Sequence, residues 1–330
     1  MKKLFIIAAA ACVALASCVK NEPVQTPDLG EAIKFDTPIV APATKADQIV
    51  NFTGSDFGVW AHHSEAAWTT TNLVDNNNVY IPNQEITKSG DTWTATNKYW
   101  LKEKYLHFIA YAPHAESGVS VSGAGIAYDD YKITPNASEA AGVTPATDIM
   151  FSERVVNKKS GPVELVFNHA LAALNFNAKI TEGNASFAIT KIVLKDVNSL
   201  GDFSQGLTAD ATAQSVAKDN NASGVVGGWT TTVPVDYVVY NGSAVTLSKI
   251  DNTSLGSEML LLPQVLGATS EIEVFYTMDG VPMSTTCSLK DTQWSRGYRY
   301  TYSISFGSAE ITFTPKEVEW VGEGKSVTIQ

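Results

Sequence analysis

Cysteine is nearly absent from this chain, and so is arginine. The cysteines are Cys12, Cys18 and Cys287, and the arginines are Arg154, Arg296 and Arg299. Cys12 lies inside an apolar N-terminal run and Cys18 directly after it, so Cys287 stands alone and no intrachain disulfide is expected. A lone cysteine in an alternating apolar segment reads as a buried, reduced core residue. Positive charge is also in deficit: 23 Lys and Arg stand against 34 Asp and Glu, a net charge of −11. That balance argues against nucleic acid as a partner and against electrostatic adhesion to anionic lipid.

The signatures of catalysis are missing too. There is no GxSxG, no P-loop and no GxGxxG ahead of a helix. His62 and His63 are adjacent, and neighbours on a strand point to opposite faces, so the pair cannot easily hold one metal ion. The same divergence applies to Asp129-Asp130. Asp75-Asn76-Asn77-Asn78 and Asp219-Asn220-Asn221 lack the glycine and distal glutamate of a calcium loop and read as turns. The expectation is therefore a non-enzyme with no catalytic residue, cofactor or metal.

Long apolar runs are limited to one. Lys2 and Lys3 precede an apolar stretch from Leu4 to Leu15, too short to span a bilayer, and Ala16-Ser17 lead into Cys18. This pattern predicts a lipoprotein signal peptide over residues 1–17, with diacylglyceryl attachment at Cys18 and acyl chains of the palmitate type. Loss of Lys2 and Lys3 takes the net charge from −11 to −13, since no acidic residue leaves with them. Two or three acyl chains anchor a protein stably where one does not. Residues 18–30 are polar, with two prolines and no periodicity, and read as a flexible tether.

The remainder has the pattern of strands. Short runs rich in β-branched and aromatic residues recur between Gly, Pro, Asn and Asp clusters: Ala32–Phe35, Phe57–Ala61, Val79–Pro82, Trp93–Thr96, Leu106–Tyr111 and Tyr128–Ile133 in the first half. A few helical turns are expected near Ser138–Gly142. Asn157 to Pro162 is polar with a Gly-Pro pair and reads as a domain boundary. The second half continues with Leu174–Ile180, Ile189–Val197, Tyr237–Tyr240, Val245–Ile250, Met259–Pro263, Glu271–Met278, Met283–Leu289, Tyr298–Phe306 and Ile311–Trp320. Asp279-Gly280 between two such runs is a hairpin signal. Leu207 to Trp229 reads as a surface insertion. The predicted fold is all-β, with two β-sandwich domains in series over residues 31–160 and 161–330.

Several segments, in order, resemble the Bacteroides-type fimbrillin family in its short-fimbria (Mfa-like) branch. They are Lys98-Tyr99-Trp100 with Leu106–Pro113, Val163–Ala172, Leu261-Leu262-Pro263-Gln264, Trp294 with Gly297–Tyr302, and Val318–Trp320. The resemblance implies a lipoprotein with two transthyretin-like β-sandwich domains, exported to the outer membrane. It implies a structural subunit of a cell-surface fimbria or pilus (stalk, tip or anchor) that takes part in adhesion, with other fimbrial subunits and a host or bacterial surface ligand as partners. His169, within the Val163–Ala172 segment, is read as a hydrogen-bonded packing residue.

In polymerising members of that family a trypsin-like protease removes the first strand with its lipid, and the vacated groove accepts a neighbour's strand. The matching place here is Lys45-Ala46, after a strand that points Ile33 and Phe35 inward. Lysine stands where the family usually has arginine, which implies either a lysine-tolerant protease or an uncleaved, anchored chain. Val327 and Ile329 of the C-terminal Ser326–Gln330 are the candidate donor residues; closure of the chain's own C-terminal sandwich is the other role open to them. A second function is a surface lipoprotein that binds glycan through exposed aromatics such as Trp60, Trp68 or Trp229.

Overall fold

The computed structural model describes residues 30–40, 50–68, 78–114, 116, 118–135, 146–206, 228–307 and 310–320. Twenty-two strands and no helix occur among the described residues. In chain order they begin with β1 Ala32–Phe35, β2 Ile39–Val40, β3 Val50–Asn51, β4 Asp56–Ser64, β5 Val79–Ser89, β6 Thr92–Tyr99 and β7 Tyr105–Ala112. Then come β8 Val119–Ser122, β9 Gly125–Lys132, β10 Met150–Ser152, β11 Val155–Lys158, β12 Val166–His169, β13 Ala172–Ile180 and β14 Phe187–Ser204. The last eight are β15 Gly228–Thr246, β16 Thr253–Leu261, β17 Gln264–Val265, β18 Glu271–Met278, β19 Val281–Ser288, β20 Gln293–Trp294, β21 Tyr298–Phe306 and β22 Ile311–Glu319.

The fold is all-β, as the alternation of the sequence predicts. β1, β18 and β21 keep the limits read from the sequence, because each buries every second side chain over most of its length. The Asp279-Gly280 pair joins β18 to β19 with φ of 50° and 82°, the left-handed values that a two-residue hairpin turn needs. Residues 138–142 and 207–227 lie outside the described residues, while Trp229 sits in β15.

Three large sheets build the molecule. A ten-stranded sheet runs β1-β6-β5-β4-β7-β10-β12-β2-β3, with β11 also on β7. A six-stranded sheet, β19-β18-β14-β9-β8 with β15 on β14, faces a four-stranded sheet, β16-β13-β21-β22. Their inner side chains share one core; Phe187 of the first meets Phe306 of the second at 5.1 Å between ring centroids. A second core lies within the ten-stranded sheet, around Phe35, Phe52, Phe57, Trp93, Phe108 and Phe167.

β7 belongs to both cores. Leu106, Phe108, Ala110 and Ala112 face the first-sheet core, while Ile109 and Tyr111 face the other. β4 does the same, with Phe57, Val59 and Ala61 on one side and Trp60 on the other. This explains the nearly unbroken apolar run of Leu106–Tyr111, which fills two faces.

The chain also crosses between sheets on both sides of the expected divide at residue 160. Val163, Leu165 and Phe167 lie in the first-sheet core, whereas β8 and β9 join the six-stranded sheet through β14. Gly161, at φ 76°, lies in the bend between β11 and Val163. Cys287 is half-buried on the edge strand β19, not fully buried as expected, and burial pushes its thiol pKa up.

Candidate strand-exchange site

Residues 31–40 close the ten-stranded sheet. On one side β1 runs antiparallel to β6, pairing Ala32 with Tyr99, Lys34 with Thr94 and Phe35 with Trp93. On the other side the chain runs parallel to residues 163–167: Phe35 bridges Val163, and β2 pairs Ile39 with Val166 and Val40 with Phe167. The flanking backbone groups are satisfied in turn. Trp100 N–H donates to Glu31 O at 2.9 Å, Val163 N–H to Lys34 O at 2.9 Å, Asp36 N–H to Val163 O at 3.1 Å and Ile39 N–H to Leu165 O at 3.1 Å. One short segment thus supplies the hydrogen bonds of two neighbours that would otherwise present open edges.

The side chains follow the period of two. Ile33 and Phe35 point into the core, at 0% and 4% exposure, while Lys34 and Asp36 face solvent. Phe35 packs edge-on against Phe57 at 5.6 Å and Phe108 at 6.1 Å. Val40 adds a third buried apolar side chain from the same segment, and Phe52, just after β3, covers the next part of the core. The sequence identified Ile33 and Phe35; it did not identify Val163–Phe167 as their parallel partner. The alternation of Val163, Leu165 and Phe167 is the local signal for that strand, and nothing in it names Phe35 as the neighbour.

The remaining predicted site residues lie outside the described residues. These are Cys18, Lys45, Ala46, Val327 and Ile329. Lys45 and Ala46 belong to residues 41–49, which connect β2 to its antiparallel neighbour β3. No three His, Cys, Asp or Glu side chains gather as a metal set among the described residues.

A model of the fimbrillin-like family matches residues 44–320. The chain belongs to the fimbrillin-like family. Its fold is similar to that of a fimbrial protein from Bacteroides vulgatus, with a TM-score of 0.55 and 14% identity over 87% of this chain and 99% of that one. It is also similar to a protein from Bacteroides ovatus given a proposed role in cell adhesion, with a TM-score of 0.52 and 16% identity over 89% of this chain and 99% of that one. No curated protein matches. As a fimbrillin-like chain it is a structural subunit of a fimbria, placed at the cell surface and assembled with other subunits.

Trp60, Trp68 and Trp229 do not form an exposed glycan-binding surface in this fimbrillin-like protein. Trp60 and Trp229 are buried, and the Trp229 indole N–H donates to Ala170 O at 2.6 Å. Trp68 is half-buried and lies flat on His107, with ring centroids 3.8 Å apart and planes 17° apart. His107 pairs in register with His62 across β4 and β7, their rings 4.9 Å apart. In the sequence His62 stands beside His63 and far from His107, so this cross-strand pair carries no local signal. Asn157 N–H donates to His107 Nδ1 at 3.3 Å, which leaves Nε2 to donate to Ser64 Oγ at 2.9 Å. Burial, then the neighbouring His62 and Arg154, lower the His107 pKa from 6.5 to about 3.

Proposed function

We propose that this fimbrial subunit assembles by strand exchange, with residues 31–40 as the strand that leaves. The observation that carries this reading is the placement of that segment between β6 and residues 163–167, with Ile33 and Phe35 buried. Cleavage after Lys45 separates the segment from the body of the chain. The opened slot offers backbone donors and acceptors on both sides and apolar sites at a two-residue spacing, which an extended strand of any suitable neighbour can fill. Val327 and Ile329 have that spacing and are assigned as the donor positions.

The lipid at Cys18 anchors the uncleaved form in the outer membrane, and the working chemistry is exchange and adhesion without catalysis. The domain limits at residues 31–160 and 161–330 become, in this reading, two folding units that trade β8–β9 and residues 163–169 across a shared wall.

The test combines limited trypsin digestion with three chains: wild type, Lys45→Ala, and a chain truncated after Gly324. SDS-resistant ladders from wild type alone are the expected outcome. Ladders of equal strength in all three, or none in wild type, refute the reading. Ladders in the truncated chain but not in Lys45→Ala keep the exchange and reject the tail as donor. For the anchor, Cys18→Ala is expected to leave the detergent phase for the aqueous one; unchanged partitioning refutes lipidation.

A further inference from the structure

A cleft of about 660 Å³ opens beside the start of β1, in the range of small-molecule sites. Its floor and walls are aromatic: Tyr80, Tyr99 and Trp100, each half-buried. These walls are braced. Tyr80 Oη donates to Tyr99 O at 2.9 Å and accepts from Tyr99 N–H at 3.2 Å. Lys98 Nζ donates to Tyr80 O at 2.7 Å and sits 4.8 Å above the Tyr80 ring, which occupies one face of it. Trp100 is held by its backbone N–H on Glu31 O and edge-on by Phe108 at 6.0 Å.

The rim carries both signs of charge. Glu31 and Glu103 line it with Lys102 and Lys159, all four exposed. Glu103 holds φ at 61°, a left-handed backbone that a non-glycine residue adopts at a cost, in the turn that carries it to the cleft.

We propose that this cleft binds a short neutral saccharide. A sugar ring presents a C–H face that packs on an aromatic plane and hydroxyls that each donate and accept. Trp100, edge-on to Phe108, and Tyr80, fixed through its Oη, supply planes held in position. Carboxylates that only accept and ammonium groups that only donate, two of each, suit hydroxyls around the ring. A ligand with a net charge meets one attractive and one repulsive pair, gains no net Coulomb attraction, and so has nothing to offset the desolvation of its charge. The site lies apart from the buried tryptophans; because Glu31 belongs to the segment that the proposed exchange removes, it is a binding activity of the uncleaved subunit.

The experiment is calorimetric titration of the full chain carrying Cys18→Ser with maltotriose, mannotriose, N,N′-diacetylchitobiose, lactose and, as the acidic comparison, 3′-sialyllactose. Saturable binding of at least one neutral sugar is expected, with affinity at least tenfold weaker in Trp100→Ala. Because Trp100 also braces the fold, Lys102→Ala/Glu103→Gly is the second variant; both positions are exposed, and glycine accepts the φ of Glu103. That variant is expected to lose at least threefold in affinity with an unchanged melting temperature. No binding by any neutral sugar, binding by 3′-sialyllactose alone, or wild-type affinity in Lys102→Ala/Glu103→Gly overturns the proposal.

Discussion

The His169 ring stacks on Trp320, with centroids 3.7 Å apart and planes within 7°. His169 ends β12, in the run that receives β1, whereas Trp320 follows β22 of the four-stranded sheet. Asp148 Oδ1 lies 3.0 Å from His169 Nδ1, and the Arg299 guanidinium stands 5.7 Å from the Trp320 ring on its way to Glu258. Trp320 N–H also donates to Gly297 O at 2.8 Å. The stack therefore ties the receiving edge of one sheet to the last strand of another.

Trp320→Ala is expected to cost about 3–5 kcal/mol, the range for emptying a buried large aromatic site. Trp320→Phe, which keeps a stacking ring, is expected to lose less than half as much. Urea denaturation measures both. Equal losses would mean that a stacked phenyl ring restores nothing at this position and would refute the stack as a source of stability.

His107 makes stability depend on pH in a defined window. Its pKa is about 3 in the folded protein and 6.5 when unfolded, so the unfolded chain takes up the proton first. The contribution is complete above pH 6.5 and is lost as pH falls toward 3. At about 1.4 kcal/mol per unit, the loss between pH 6.5 and 5 is about 2 kcal/mol, before most carboxylates titrate. His62 and Arg154 face the same ring and oppose its protonation. His107→Gln is expected to flatten the stability profile between pH 6.5 and 5; a slope equal to wild type would contradict the assignment.

Much of this was legible from residue order alone, and the failures share one cause. Periodicity located β1, β18 and β21 because each has one buried and one open face. It locates β7 as a strand but does not reveal that Phe108 and Ile109 serve different cores, because a wall shared by two cores looks like one strongly apolar strand. Nor does it reveal that Val163–Phe167 pack in the first-sheet core, since their neighbour Phe35 lies far away along the chain. The His62–His107 pair needs the register of β4 on β7, which no local pattern carries. The aromatic cleft likewise draws on residues from Gly30 to Lys159.

Gln205 is a buried polar joint between the sheets. Its Nε2 donates to Ser152 O at 2.6 Å, its Oε1 accepts from Ile126 N–H at 3.1 Å, and its own N–H donates to Ile126 O at 2.8 Å. Gln205→Leu preserves volume but strips two backbone groups of their side-chain partner, at about 1–3 kcal/mol for each left unsatisfied. A loss of at least about 2 kcal/mol in urea denaturation is expected. A change below about 0.5 kcal/mol would show that water or a local shift replaces the amide.

The last prediction concerns occupancy of the β1 slot in trans. A chain beginning at Ala46 lacks Ile33, Phe35 and Val40, which are at most 4% exposed. It also lacks five backbone hydrogen bonds that flank the segment: those of the Trp100, Val163, Asp36 and Ile39 N–H groups, and that of Phe52 N–H to Pro38 O at 2.8 Å. At about 1.5–3 kcal/mol for each side chain and about 1 kcal/mol for each hydrogen bond, the deficit is on the order of 10 kcal/mol. That is as large as the whole stability of an ordinary domain, so the shortened chain is expected to melt far below the full one. A synthetic peptide of residues 31–40 binds only the folded form and is expected to raise the melting temperature in proportion to the logarithm of its concentration. The register makes the response specific. Phe35→Ala in the peptide removes a ring packed on Phe57 and Phe108, a loss of about 3–5 kcal/mol, which weakens binding by two orders of magnitude or more. Lys34→Ala changes an exposed side chain on the opposite face and is expected to rescue as well as the natural sequence. Rescue by both altered peptides alike would mean nonspecific adhesion to an unfolded chain. Absence of rescue by the natural peptide would mean that the slot does not survive without its strand, and exchange would then have to be concerted with departure.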